Sequence, residues 1–276
     1  MIARILRLFA SLVLLAAALA LWGFVNTQAD PRIRRGTVHM AEWPAHAAPL
    51  RIALIGDVHV QGPDMPPERV ARIVAQVNAQ HPDLILLAGD YVGDRRFLSR
   101  HYPDAEIAAP LGKLAAPLGT WAVLGNHDHW RNHGSMAKAL QAVGIHVLAN
   151  SAVRVGVLTL AGADDDFSRH ANAAATDRAA AELSGPVLLF THSPDLVPRL
   201  SRRFGLVFAA HTHCGQIVLP FYGQIESSSH YGDRYRCGLI REDGRSIFVT
   251  GGLGTSVVPF RFGAPPDWWL ITVGGR

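Results

Sequence analysis

Five short apolar runs in this chain end in side chains that can hold a metal ion. Residues 52–55 lead into Gly56-Asp57-Val58-His59, residues 84–87 into Gly89-Asp90, residues 121–124 into Gly125-Asn126-His127-Asp128, residues 187–190 into Thr191-His192, and residues 206–209 into His211-Thr212-His213. Asp, Asn and His offer oxygen and imidazole nitrogen, a donor set that suits Mn, Fe or Zn. Where the backbone stays extended, residues two apart share a face, so Asp57 with His59 and His211 with His213 are expected to aim in pairs at one ion. Seven candidate ligands, Asp57, His59, Asp90, Asn126, His192, His211 and His213, exceed the needs of one zinc with an open position. They suit two divalent ions bridged by a shared carboxylate.

The elements that must position these groups are strands. In open α/β sheets the loops at the carboxyl ends of strands converge on a crevice, which is where ligands bind. The apolar runs alternate at first with helical patterns over 67–80 and 136–143. Beyond residue 205, strand-like stretches at 217–219, 236–241, 246–250 and 268–273 are punctuated by glycines, as in antiparallel hairpins. The pattern is that of one α/β domain with mixed sheets. Taken singly, each motif has an ordinary explanation: Gly89-Asp90 as a turn, Asp128 as a helix cap, His192 as a hydrogen-bonded core residue. Ordinary structure does not explain their recurrence at five strand ends.

Composition excludes several classes of function. With 49% hydrophobic and 17% charged residues over 276 positions, the chain can build a sizeable core and is not disordered. Residues 1–35 carry five arginines and one acid, and so hold the whole formal charge of +4. The remaining body is neutral and lacks the electrostatic footprint of a nucleic-acid binder. Cys214 and Cys237 are too few for a disulfide scaffold or a thiolate zinc framework. Residues 8–25 form an uncharged apolar run, about 27 Å long as a helix against a hydrocarbon core of about 30 Å. The run is longer than a signal-peptide core and ends in Trp22 and Phe24, which suits a retained membrane anchor better than a cleaved leader. Arginines flank it on both sides and leave the side of the membrane open. Residues 1–35 are thus read as anchor and flanks, 36–49 as an extended connector, and 50–276 as the globular domain.

In their order, the motifs resemble the signature of the calcineurin-like metallophosphoesterase superfamily, D-x-H, G-D, G-N-H-[DE], H and G-H-x-H, over residues 51–273. The phrases THSPD (191–195), HTHCGQIVLPFYG (211–223) and GTSVVPFRFGAPP (254–266) are similar to a bacterial membrane-associated branch that includes a UDP-2,3-diacylglucosamine hydrolase of lipid A synthesis. The resemblance implies a four-layer α/β/β/α sandwich with two mixed sheets behind an N-terminal membrane helix, located at a bacterial inner membrane. It also implies that Asp57, His59 and His213 hold one ion and Asn126, His192 and His211 the other, with Asp90 between them. His127 would act on the phosphate or leaving group, and Asp128 would orient its ring. One departure is Ala210, where the family usually has glycine; alanine resists positive φ, so a loop requiring that geometry would shift.

The chemistry expected from this set is hydrolysis of a phosphodiester or diphosphate bond, in which two divalent ions activate water and bind the phosphoryl oxygens. A lipid-linked diphosphate such as UDP-2,3-diacylglucosamine is the expected substrate. A soluble phosphodiester is the alternative, and a non-catalytic membrane protein stabilised by metal is a third reading, which the His127-Asp128 pair opposes. Arg261 is a candidate to grip a substrate diphosphate. Asp164-Asp165-Asp166 reads as a turn of solvated acids, His129 as a loop-surface residue, and Cys214 as a free thiol.

Overall fold

In the computed structural model, which describes residues 1–95 and 99–275, the chain begins with a long helix, α1 (Ile2–Gln28). It is long and apolar enough to cross a bilayer by length and composition, and only Gly23 and Thr27 in its last turns are buried. The chain continues through β1 (Arg32–His39), β2 (Leu50–Ile55), β3 (Gln61–Gly62), α2 (Pro67–Asn78), β4 (Leu84–Ala88), β5 (Arg100–His101), α3 (Asp104–Leu111), β6 (Thr120–Val123), α4 (Asn126–Ala142) and β7 (His146–Val147). Its second half contains β8 (Ser151–Val155), β9 (Leu158–Gly162), α5 (Ala173–Ala181), β10 (Val187–Phe190), β11 (Leu206–Ala209), β12 (Val218–Leu219), β13 (Gly223–Gln224), β14 (Gly238–Glu242), β15 (Arg245–Val249) and β16 (Asp267–Gly274).

Among the described residues these strands build two six-stranded mixed sheets, ordered β1-β16-β2-β4-β6-β7 and β14-β15-β11-β10-β9-β8. The apolar runs are continuous because both faces of each sheet are covered. Along β2, Ile52 and Leu54 point between the sheets, while Ala53 and Ile55 point towards α2, α3 and α4. Along β11, Leu206 and Phe208 point between the sheets, while Val207 and Ala209 join a third core with Ala180 of α5 and Leu196. Three cores separate four layers, helices, sheet, sheet, helices, as expected for the α/β/β/α class. β2, β4 and β6 run parallel, as do β10 and β11, so their carboxyl ends gather at one edge of the sandwich.

One boundary differs from the sequence reading. Residues 32–39, assigned to the anchor's flank and the connector, form β1, which pairs in parallel with β16 along its whole length from Arg32↔Asp267 to His39↔Gly274. The segment escapes notice because it is an edge strand with weak alternation, in which only Val38 is buried. The folded body therefore starts before Leu50, and a chain begun there would lack one edge of the first sheet. A second difference is that α4 starts at Asn126, well ahead of the predicted helix at 136–143, and carries a kink at Asn132.

Candidate metal centre

The seven candidate ligands meet at the gathered strand ends. Asp57 and His59 follow β2, Asp90 follows β4, Asn126 opens α4 after β6, His192 follows β10, and His211 and His213 follow β11. All are buried, none more than 5% exposed. Asp57, His59 and His213 form one group whose ligand atoms lie within 4.8 Å of one another, and Asp90, His192 and His211 form a second. Asp90 Oδ2 lies between the groups, 3.5 Å from His59 Nε2 and 3.2 Å from His192 Nε2. Asn126 Oδ1 joins the second group, 3.0 Å from His192 Nε2.

The pairs spaced two apart do not converge by the route expected from extended backbone. Asp57 (φ 48), His59 (φ 44), Asp90 (φ 57), His211 (φ 73) and His213 (φ 50) all occupy the left-handed region, which is unfavourable for residues with a Cβ. Strain of this kind concentrates where surrounding structure imposes it for function. Ala210 has no positive φ; that conformation falls on His211 instead. The Ala210 methyl sits in space left by Gly56, where a Cβ would lie 2.4 Å away. The loss of the usual glycine is thus accommodated from across the sandwich. Gly125 serves a similar close approach, since a Cβ there would lie 2.2 Å from Asp90 Oδ1.

Hydrogen bonds fix which nitrogen each ring presents. A carbonyl only accepts, so His59 Nδ1 donates to Val92 O, His192 Nδ1 to Ala88 O, and His211 Nε2 to Ser228 O. The nitrogens left facing inward are lone pairs. His192 Nε2 and His211 Nδ1 face each other at 3.1 Å, with Asn126 Oδ1 and an Asp90 oxygen close to the same point. Four acceptors converging with no donor among them suit a cation. Without a metal that cation is a proton on His192: burial opposes it, but Asp90 overrides burial and holds the His192 pKa well above its ordinary value. Burial pulls His59 down to about 4, which leaves a neutral ring with its Nε2 lone pair towards Asp90. Burial and the nearby Asp90 push Asp57 up, although its partners His192, Arg261 and the His211 amide favour the carboxylate. A nitrogen and oxygen set of neutral imidazoles and crowded carboxylates fits divalent ions.

His127 lies at the mouth of this centre. Its Nδ1 is 2.6 Å from Asp94 Oδ1, its Nε2 is 4.0 Å from Asp90 Oδ2, and its ring stands edge-on to that of His59. Burial works against its charge, but Asp90 and Asp94 outweigh it and raise its pKa to about 9. The residue that orients the ring is therefore Asp94, not Asp128 as expected. Asp128 is the third residue of α4, and its carboxylate accepts the backbone N–H groups of Gly125, Asp90, Tyr91 and Val92 at 2.9 to 3.1 Å. It caps α4 and ties the Asp90 loop to the helix, the ordinary role a sequence reading would assign an acid there. Successive helical residues point about 100° apart, so neighbours in sequence face different surroundings.

Other expectations also change. Arg261 is wholly buried, and its guanidinium donates to the carbonyls of Gly251, Gly252, Gly254 and Ala264, with Nη2 3.4 Å from His213 Nδ1. Its donors brace the loop behind His213, and it does not line the cavity. Cys214 is bonded to Cys237 in a disulfide and is not a free thiol; the bridge fixes the segment just after His213. Asp164 pairs with His129 Nε2 at 2.7 Å, Asp165 is buried and accepts the Ser168 amide, and Asp166 pairs with Arg199. These acids and the His129 side chain are held in the fold rather than solvated. Asp94 has no motif of its own; its one signal in sequence is a second Gly-Asp closely following Gly89-Asp90.

The centre opens into a cavity of about 360 Å³ lined by His127, Trp130, Phe167, residues 226–230, Ser256 and Val257. Its wall is polar at Ser227, Ser228 and Ser229 and apolar at Trp130, Phe167 and Val257.

Residues 50–215 match the family model described as calcineurin-like phosphoesterase. A zebrafish (Danio rerio) transmembrane protein with metallophosphoesterase domain is 28% identical over an alignment of 273 positions that covers 90% of this chain and 58% of that protein. An uncharacterized metallophosphoesterase of Aquifex aeolicus is 30% identical and covers 89% of this chain and 92% of its own length. The phosphodiesterase YaeI of Escherichia coli is 29% identical, covering 84% of this chain and 85% of its own. The chain thus spans little more than half of the zebrafish relative but most of the two bacterial ones. With a family match over more than half of its length, and with the family's ordered ligand types gathered at one edge of its sandwich, the chain belongs to the calcineurin-like phosphoesterases.

Proposed function

We propose that this protein is a membrane-anchored phosphodiesterase that uses two divalent ions, of Mn, Fe or Zn, to hydrolyse a phosphodiester or diphosphate bond of a lipid-linked substrate. The observation that carries this reading is the pair of ligand groups flanking Asp90, with Asp57, His59 and His213 on one side and Asn126, His192 and His211 on the other. Bound there, divalent ions would supply an activated water and charge stabilisation for the phosphoryl oxygens. The names of the zebrafish and Escherichia coli relatives, a transmembrane protein and a phosphodiesterase, support the location and the bond class. α1 supports anchoring, and the branch resemblance supports UDP-2,3-diacylglucosamine at a bacterial inner membrane.

The chain's own residues have separable parts in the reaction. His127, held by Asp94, carries a proton at the cavity mouth, where it donates to the departing oxygen or to an equatorial phosphoryl oxygen. Asp94 holds the ring by Nδ1, so Nε2 is the atom that faces substrate and Ser256. Asp128 keeps the Asp90 loop against α4. Phe167 and Trp130 make one wall of the cavity apolar.

The test is a substrate screen of the metal-reconstituted full-length protein against phosphomonoesters, soluble phosphodiesters and lipid diphosphates. Preferential turnover of lipid-linked substrates is expected. Preference for soluble phosphodiesters would replace the lipid reading, and the absence of all turnover with metal bound would favour the non-catalytic one.

A further inference from the structure

The last turns of α1 rest on the loop that borders the cavity. Thr27 Oγ1 donates to Pro259 O, Asn26 Nδ2 to Arg261 O, and the Arg261 amide to Gly23 O. Phe262 packs against Gly23 and stands edge-on to Trp22, with ring centroids 5.6 Å apart. Trp22 and Gly23 both belong to the uncharged run of residues 8–25, so Phe262 lies at the depth of the anchor's apolar end.

The hairpin of β12 and β13 hangs from this same residue. Val218 N donates to Phe262 O, and Ile217 bridges to Phe262 and Gly263. Its tip and shoulders are apolar and uncovered by the rest of the chain: Leu219 is 40% exposed, Phe221 111%, Tyr222 75% and Ile225 56%. Val257, on the other side of the loop, is 74% exposed and lines the cavity. The residues directly after Ile225, 226–229, line it too. An exposed apolar surface therefore runs from the end of α1 through Phe262 to the hairpin, and the polar residues that follow the hairpin, 226–230, lead from it into the cavity. Patches of this kind on a soluble face mark an interaction site, and aromatic residues are favoured at the level of lipid headgroups.

The geometry points to a second membrane contact: the β12–β13 hairpin inserts Phe221 and Tyr222 into the leaflet beside α1, so that the cavity mouth opens onto the bilayer surface and receives the phosphoester head of a lipid. The occupant of the patch is the bilayer itself, because the patch is continuous with the apolar end of α1. This inference rests on reading α1 as a membrane anchor, and it explains how a lipid-linked bond would reach a buried centre without the lipid leaving its leaflet.

The full-length protein, reconstituted with manganese in phosphatidylcholine vesicles, provides the test. In Phe221→Trp, the fluorescence added relative to the unsubstituted protein should be quenched by phosphatidylcholine brominated on its acyl chains and shielded from aqueous iodide. Quenching by iodide and not by brominated lipid would overturn the proposal, whatever the enzyme's activity. A second measurement uses one leaving group in two settings, a soluble nitrophenyl phosphodiester and the same phosphodiester on a long acyl chain embedded in the vesicles. The double substitution Phe221→Asp with Tyr222→Asp should leave turnover of the soluble ester unchanged and lower turnover of the embedded one about tenfold or more, since the surface contact sets its effective concentration. Equal turnover of the embedded ester by both proteins would overturn the hairpin's role while leaving the phosphoesterase reading intact. If the unsubstituted protein turned over neither ester, the phosphoesterase reading would fail and the quenching result would still decide the membrane contact.

Discussion

The metal centre and its mouth are built on opposite terms. In the centre, Asp57, His59 and His192 are fully buried, the loops carrying Asp57 and His59 take left-handed backbone, and hydrogen bonds leave the His59 and His192 rings one inward nitrogen each. At the mouth, Trp130 is 57% and Val257 74% exposed, and the cavity wall comes from the start of α4 and from the loops that carry Phe167, residues 226–230, Ser256 and Val257. The difference shows where each property of the enzyme resides. The ends of β2, β4, β6, β10 and β11 fix the chemistry, and the loops after them choose what reaches it.

The contrast is broken most severely at its pivot. Asp90→Ala should lower metal content in both groups, and activity should fall beyond the factor of about 10² to 10⁴ that a positioned acid or base supplies. Metal analysis of the variant showing loss at one group alone would mean that Asp90 is not shared. Next in size is His127→Ala, at the boundary between centre and mouth. It should lower kcat by about 10² to 10⁴ with metal content intact. Metal loss instead would make His127 a ligand, a role its grouping with His59 and Asp90 allows.

A smaller effect is expected from Asp94→Asn, which keeps the shape but removes the charge next to His127. The imidazolium is populated below its pKa, which Asp94 helps to hold up, so the step it supports fades as pH rises through that pKa. Without the Asp94 charge that pKa falls, and the pH–rate profile should lose its alkaline limb at lower pH, with kcat reduced by about tenfold. An unchanged profile would remove Asp94 from the mechanism. The smallest effect belongs to the mouth alone. Trp130→Ala should raise KM by about 3- to 10-fold with kcat and metal content nearly unchanged, since it removes mostly apolar wall and no ligand atom. A fall in kcat exceeding the rise in KM would show that the wall takes part in the chemistry.

Much of the centre was legible because parallel strands buried on both faces read as apolar runs, and their ends are where polar residues collect. What the pattern hid was local backbone. Left-handed φ at Asp57, His59 and His211 follows from loop closure around the site, and no glycine marks those positions. Asp128 misled because adjacency in sequence is not adjacency on a helix, whereas Asp94 reaches His127 from a different loop. β1 was hidden by its edge position, and the Cys214–Cys237 bridge by the 23-residue separation that only the fold closes. Arg261 looked like a phosphate ligand on the strength of its charge, but the carbonyls of the surrounding loop account for its donors.

The central claim, two ligand groups around one carboxylate, is tested most directly by counting and locating the ions. Manganese-reconstituted full-length protein should hold two ions per chain by elemental analysis, and anomalous diffraction should place them on either side of Asp90. One ion per chain at saturating manganese, or a pair that does not share Asp90, would contradict the account.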